Sequence, residues 1–98
     1  MDNQFTKLKK LLISHQNELV RLGTRHLAIF GSTVREEATK ASDVDILVEF
    51  DVKRGLFGFA DLKFYLEEIL QRHVDLVTKQ GLRPELKKRI LNEAKQVF

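Results

Sequence analysis

The sequence predicts an α/β (α+β) fold, in which a small mixed three-stranded sheet is flanked by helices in one domain over residues 1–98. Apolar residues recur at helical spacing near both ends and in the middle of the chain. Apolar runs of strand length occupy residues 26–30, 44–50 and 73–78. A hydrophobic content of 43% with 32% charged residues is ordinary for a globular protein.

The first predicted helix is amphipathic and ends at Gly23. Its apolar stripe recurs at steps of three and four residues, as expected for one face of a helix. The stripe consists of Phe5, Leu8, Leu12, His15, Leu19 and Leu22. We interpret His15 as a histidine at the boundary of the core rather than as a ligand or base.

Two strands enclose the most informative segment. The first strand covers residues 26–30, a short helix is expected over 33–39, a turn over 40–42, and the second strand over 44–50. A glycine stands at the end of the first strand and two acids at the start of the second. For both ends to reach one site, these two strands must run antiparallel.

The second half of the chain predicts a helix, a strand and a closing helix. The middle helix runs from about Gly58 to Leu70 and a third strand covers residues 73–78. Pro84 suits the first turn of the closing helix. The inner face of the middle helix consists of Phe59, Leu62, Leu66, Ile69 and Leu70, and that of the closing helix of Leu86, Ile90, Ala94 and Val97.

An aromatic run in the middle helix has two interpretations. Phe57, Phe59, Phe64 and Tyr65 could form a platform for base stacking. Their helical spacing favours core or partner surface instead.

Gly31 and Ser32 are followed after ten residues by Asp43 and Asp45. Alternate residues of a strand share a face, so the two carboxylates project together, and a pair of like charges is easiest to explain around a divalent cation. Gly31 lets a ligand or another backbone approach closely, and Ser32 offers a hydroxyl and an N–H to a phosphate. The combination predicts a site for metal-dependent phosphoryl or nucleotidyl transfer.

Asp75 is the one acid within the third strand and is flanked by Val74 and Leu76. An unpaired charge beside a core is costly, so this acid needs a partner. It either pairs with a Lys or Arg or completes a three-carboxylate metal site with Asp43 and Asp45.

Composition restricts the remaining function classes. The absence of cysteine excludes a disulfide framework and a thiolate metal site and suits a reducing cytoplasm, where we expect the protein to act. No apolar run approaches the length of a membrane span, so we expect no membrane association. The net charge is +3, but no aromatic residues alternate with Lys7, Lys9 and Lys10, so direct nucleic-acid binding is not expected.

The Gly31-Ser32 and Asp43-x-Asp45 pattern is similar to the signature of the nucleotidyltransferase superfamily that includes DNA polymerase beta. The whole chain resembles the stand-alone minimal nucleotidyltransferases (MNT, MntA-like), the antitoxin partners of HEPN toxins in toxin–antitoxin pairs. The resemblance covers residues 30–50, the segment 55–58, and residues 74–98. It implies a polymerase beta-like nucleotidyltransferase fold.

The resemblance also implies roles for individual residues. Asp43, Asp45 and Asp75 are the expected catalytic carboxylates and ligands of two Mg²⁺ ions. The nucleotide-binding residues implied are Gly31, Ser32 and Arg35, with ATP as the substrate.

Arg35 has two interpretations, since it lies where it could neutralise a triphosphate or form a surface salt bridge with Glu36 or Glu37. Many relatives carry a small residue and then Arg-Gly at the positions of Val34, Arg35 and Glu36. Glu36 therefore replaces a glycine. We expect it to repel ATP if it points at the phosphates and to be neutral if it faces water.

For the acceptor, the resemblance implies a tyrosine hydroxyl on a HEPN ribonuclease toxin, which would receive AMP from ATP and be silenced. It also implies that this protein and the toxin form a hetero-oligomer. The alternative is a catalytically inactive antitoxin that neutralises its toxin by stoichiometric binding. A third hypothesis is nucleotidyl transfer to a small molecule or RNA. It requires an acceptor pocket, of which the sequence gives no sign.

Overall fold

The computed structural model describes residues 3–39 and 41–98, so Lys40 of the predicted turn lies outside the described residues. The helices are α1 (Gln4–Ser14), α2 (Gln16–Arg21), α3 (Gly55–Leu70) and α4 (Pro84–Glu93). The strands are β1 (Thr24–Phe30), β2 (Val44–Phe50), β3 (Val74–Thr78) and β4 (Lys95–Gln96), and short 3₁₀ turns occupy Gly31–Thr33 and Val52–Arg54. Within these residues, no helix is both long and apolar enough to cross a membrane.

The strands form one mixed sheet in the order β3-β2-β1-β4. Strands β1 and β2 are antiparallel, which confirms the expected orientation. Strand β3 is parallel to β2, and α3 provides the crossover between them. The predicted α/β class and mixed sheet are therefore confirmed.

The predicted count of three strands was wrong, because the C-terminus adds β4 beside β1. The expected closing helix is also shorter than predicted. It ends at Glu93 because Ala94 is extended, with ψ 136°, and the Val97 N–H then donates to the Leu27 carbonyl. Val97 lies in this extended segment, not in a helix, and its side chain is buried there. Leu86, expected on the inner face of the closing helix, is 41% exposed.

The single N-terminal helix of the prediction is broken at His15, whose φ of −108° and ψ of 15° are not helical. The imidazole is half-buried and its Nδ1 lies 3.1 Å from the Leu11 carbonyl oxygen. The ring also makes an edge contact with Tyr65, with centroids 6.1 Å apart. His15 thus lies at the core boundary, as we interpreted it.

The short helix predicted over residues 33–39 is absent, and a compact turn replaces it. The Gly31 carbonyl accepts from the N–H groups of both Val34 and Arg35, and the Glu37 N–H donates to Ser32. Glu36 has φ 61°, which is incompatible with a continuing right-handed helix. The turn keeps this segment close to the end of β1.

The core lies on one face of the sheet, under α1, α2 and α3. Side chains of Val44, Ile46 and Val48 on β2 are fully buried there. The expected inner face of α3 is confirmed, since Leu62, Leu66 and Leu70 are buried and Phe59 and Ile69 pack against them. Of the aromatic run, Tyr65 also packs on the core, whereas Phe57 and Phe64 are exposed.

Alternate β2 residues Asp45, Leu47 and Glu49 project from the opposite face, which these three helices do not cover.

Candidate functional site

Strand register brings together the residues that the sequence separated. Phe30 at the end of β1 pairs with Asp45, and Asp45 pairs with Asp75 at the start of β3. Neighbouring strands lie about 4.8 Å apart. Asp45, Asp75 and Gly31, which directly follows β1, therefore lie side by side where the three neighbouring strands begin or end. This is the convergence that the antiparallel prediction required.

Gly31 is in direct contact with the Asp45 carboxylate. Its φ is 75°, a conformation that side-chain-bearing residues rarely adopt, and a Cβ added there would lie 2.1 Å from Asp45 Oδ2. The absence of a side chain at residue 31 therefore gives Asp45 its position.

The following residue, Ser32, lies in the 3₁₀ turn and is half-buried. Its carbonyl oxygen accepts a hydrogen bond of 2.9 Å from the Glu37 N–H, and this bond holds the turn closed. In the described part of the chain, its hydroxyl makes no hydrogen bond to protein. Its nucleotide-binding role stays a prediction.

The three carboxylates interact electrostatically. The pKa of Asp45 is raised from 3.8 to about 6, first because burial disfavours the charged carboxylate and then because Asp75 and Asp43 carry like charges nearby. The positive charge of Arg35 opposes the rise in the pKa of Asp45. Asp43 and Asp75 themselves are exposed.

The alternative for Asp75, a salt bridge with Lys or Arg, does not occur among residues 3–39 and 41–98. Its neighbour is another carboxylate instead. Two acids that face each other across adjacent strands form a site that favours a cation.

Arg35 is bound by two carboxylates. Its Nε donates to Glu37 Oε2 at 3.1 Å, and its Nη1 donates to Glu93 Oε1 at the end of α4. These hydrogen bonds raise the pKa of the Arg35 guanidinium, Glu93 having the larger effect. The structure thus shows the ion-pair alternative with Glu37, while the interaction with a triphosphate stays a prediction.

Glu93 is the residue at this site that sequence reasoning missed. It lies 58 residues from Arg35, so no local pattern connects them. Its side chain is only 16% exposed, which sets it apart from the solvated charges of α4.

Glu36 does not contact the carboxylates. Its Oε1 accepts a hydrogen bond of 3.0 Å from Asn3 Nδ2, at the residue that caps α1. Its φ of 61° lies in the left-handed region that favours glycine, which is the residue that the resemblance places there. The glutamate at position 36, where the family pattern has glycine, therefore strains the backbone of this turn.

The residues fit a magnesium ion that is shared with a substrate. Within the described ranges, no group of three or more His, Cys, Asp or Glu side chains forms a ready-made metal site. Mg²⁺ normally takes one or two carboxylates and completes its shell with waters and substrate phosphates. Asp45 and its neighbouring acids supply such a partial donor set, and their mutual repulsion favours a cation.

Comparison with known proteins agrees with this geometry. Residues 12–97 match the family model described as nucleotidyltransferase domain. The protein adenylyltransferase MntA of Thermococcus cleftensis is 43% identical over 88 residues, which cover 89% of each chain.

Solved structures share the fold, and two of them illustrate it. A structure described as a minimal nucleotidyltransferase is 36% identical, with a TM-score of 0.72 over 89% of this chain and 93% of that one. A complex of a tri-AMPylated Shewanella oneidensis HEPN toxin with an MNT antitoxin matches with a TM-score of 0.59 at 21% identity, over 88% of this chain and 71% of that one. With a family match across most of its length, the chain belongs to the nucleotidyltransferase domain family.

Proposed function

We propose that this protein is a Mg²⁺-dependent protein adenylyltransferase that acts as an antitoxin, transferring AMP from ATP to a tyrosine hydroxyl of a HEPN-family toxin. The observation that carries the proposal is the placement of Asp45 between Gly31 and Asp75. The relative named MntA protein adenylyltransferase supports transfer to a protein. The fold shared with an MNT antitoxin bound to an AMPylated HEPN toxin supports the partner class.

The residues divide the reaction between them. Gly31 and Ser32 would bind the β- and γ-phosphates at the end of β1, and Asp43, Asp45 and Asp75 would hold Mg²⁺. When bound, Mg²⁺ supplies charge neutralisation of the attacking and leaving oxygens. Asp75 accepts the proton of the incoming tyrosine hydroxyl. The tyrosine oxygen forms a bond to the α-phosphorus, the bond from that phosphorus to the bridging oxygen breaks, and pyrophosphate leaves.

Arg35 favours a second candidate, an antitoxin that neutralises its toxin by binding alone. Its guanidinium is already bound by Glu37 and Glu93, which leaves less positive charge for a triphosphate. A stoichiometric binder would need none of the three carboxylates. The two functions therefore differ in their dependence on Asp43 and Asp45.

The test is the intact mass of the cognate HEPN-family protein after incubation with ATP, Mg²⁺ and one-tenth molar antitoxin. We expect wild type to add one or more AMP units and the double variant Asp43→Asn/Asp45→Asn to add none. The double variant must retain the folded circular dichroism spectrum, which serves as the control. An unchanged toxin mass with wild type, while the two proteins still co-purify, would reject catalysis in favour of binding.

A further inference from the structure

The face of the sheet opposite α1, α2 and α3 carries a groove of about 380 Å³. Its floor is formed by Ala28 of β1 and Leu47 of β2, and Leu91 of α4 forms one wall. The far rim is polar and consists of His26, Glu49 and Lys79. The groove lies apart from the core, which is on the opposite face.

The groove continues from the carboxylates along the strands. Asp45, Leu47 and Glu49 are alternate residues of β2, so their side chains share one face. The register pairs Asp45 with Asp75, and two residues further it pairs Leu47 with Ala28. The groove floor therefore begins about 7 Å from Asp45, a distance of two strand residues.

The far rim is held in place by ion pairs. Lys79 Nζ lies 3.4 Å from Glu49 Oε1, and His26 Nε2 lies 3.7 Å from Glu49 Oε2. The floor is apolar and the far end is polar and solvent-facing. Such a surface suits a protein segment with an apolar side chain and a polar continuation.

The direction of the groove matches the direction from which an acceptor must come. Gly31 and Ser32 follow the end of β1, beyond Asp45 and away from the groove. In an in-line displacement, the attacking oxygen and the leaving pyrophosphate stand on opposite sides of the phosphorus. With the β- and γ-phosphates at Gly31 and Ser32, the attacking hydroxyl arrives from the side of Ala28 and Leu47.

We propose that this groove, resting on the proposed adenylyltransferase function, binds the acceptor segment of the protein substrate. The occupant is an apolar segment of the HEPN-family protein that carries the target tyrosine at its end. Its apolar side chains lie on Ala28, Leu47 and Leu91, and its hydroxyl reaches Asp45 and Asp75. The chain thereby has an acceptor site that the sequence did not reveal.

The experiment compares two substitutions on one helix. Leu91→Lys places a charge in the groove, whereas Leu86→Lys, the matched control, alters a leucine of similar exposure on α4 that does not line it (37% and 41% exposed). We expect Leu91→Lys to lower kcat/KM for the HEPN-family protein about tenfold or more through KM, with the KM for ATP unchanged. Leu86→Lys should behave as wild type. Ala28→Phe, which fills the floor, should repeat the effect of Leu91→Lys.

Other results would overturn the inference. A raised KM for ATP in Leu91→Lys would assign the groove to the nucleotide, and a change of oligomeric state in light scattering would assign it to a second copy of this chain. Unchanged acceptor kinetics in Leu91→Lys and Ala28→Phe would exclude acceptor binding there.

Calorimetric binding of the HEPN-family protein separates this inference from the proposed function. If wild type transfers no AMP but Leu91→Lys still weakens binding relative to Leu86→Lys, the groove is the docking site and only the catalytic proposal fails. Equal affinities of the two variants would reject the docking site.

Discussion

At the scale of single residues, the site depends on a backbone that no side chain obstructs. Gly31 has φ 75°, and its missing Cβ leaves room for Asp45 Oδ2. Gly55 has a similar φ of 67° but nothing within 4 Å of the position of a Cβ. The two glycines therefore share the conformational requirement and differ only in the carboxylate contact.

Gly31→Ala should displace the Asp45 carboxylate and lower kcat for AMP transfer about 100-fold, because misplacement of a catalytic group by about 1 Å has effects of this order. Gly55→Ala should retain activity. Gly55→Ala should lose about 1–2 kcal/mol of unfolding free energy, since it forces alanine into the left-handed region. Gly31→Ala should lose more than that, because its Cβ would also lie 2.1 Å from Asp45 Oδ2. Steady-state kinetics together with urea unfolding measures the two effects. Equal activity of the two variants would show that the Gly31–Asp45 contact has no catalytic consequence.

Sequence reasoning worked well for residues whose chemistry is local. The spacing of Gly31, Asp43 and Asp45 along two strands predicted that these positions meet, and the register brings Asp45 beside Gly31. It could not predict that Glu36 adopts φ 61° or that Arg35 binds Glu93. Those features arise from a turn conformation and a contact between distant segments, which hydrophobic periodicity does not encode.

At the scale of elements, the strands were more predictable than the helix ends. Strand β2 matches its predicted bounds, because its nearly continuous apolar run is of strand length and its apolar residues are buried in the structure, Leu47 on the face opposite the core included. The break at His15 and the end of α4 were missed, since buried residues at steps of three or four continue across both. Val97 fits the helical spacing yet is buried from an extended segment that pairs with β1.

The contact between Arg35 and Glu93 joins the turn after β1 to the end of α4. If its main role is to hold α4 beside the site, Arg35→Ala and Glu93→Ala should lower the melting temperature by similar amounts. The double variant should then be no worse than either single variant, because both changes remove the same contact. Thermal unfolding of the four proteins provides this cycle.

The kinetics of the same four proteins distinguish a role in ATP binding. A KM for ATP that rises in Arg35→Ala but not in Glu93→Ala would show that Arg35 also contacts the nucleotide. Equal KM values for ATP in Arg35→Ala and Glu93→Ala would show that Arg35 only keeps α4 in place beside the site. Lys88→Ala, a change to an exposed charge elsewhere on α4, is the control.

At the scale of the whole molecule, the sheet separates stability from chemistry. One face packs under α1, α2 and α3 and supplies the core, while the other carries the carboxylates and the groove. Grouping three acids on the second face costs stability, because repulsion and partial burial oppose ionisation of Asp45. This opposition makes folding sensitive to pH and to cations.

Without metal, stability should fall as pH rises from about 4 to about 6, because the folded state holds the Asp45 proton more tightly than the unfolded chain does. A pKa rise from 3.8 to about 6 corresponds to about 3 kcal/mol at full strength, and solvent screening of this half-buried group reduces it to about 1–2 kcal/mol. Asp45→Asn removes the ionisation. In EDTA it should therefore be more stable than wild type by about 1–2 kcal/mol at pH 7 and nearly equal to it at pH 4.

Urea unfolding of both proteins in EDTA at the two pH values measures this difference. Comparing the variant with wild type cancels other titrations, including that of Glu67, whose pKa is lowered by its hydrogen bond from the Val74 N–H. Millimolar Mg²⁺ at pH 7 should stabilise wild type more than Asp45→Asn, since a cation that binds only the folded site shifts the equilibrium toward it. Parallel pH curves for the two proteins, with equal responses to Mg²⁺, would show that Asp45 neither opposes folding nor binds the cation.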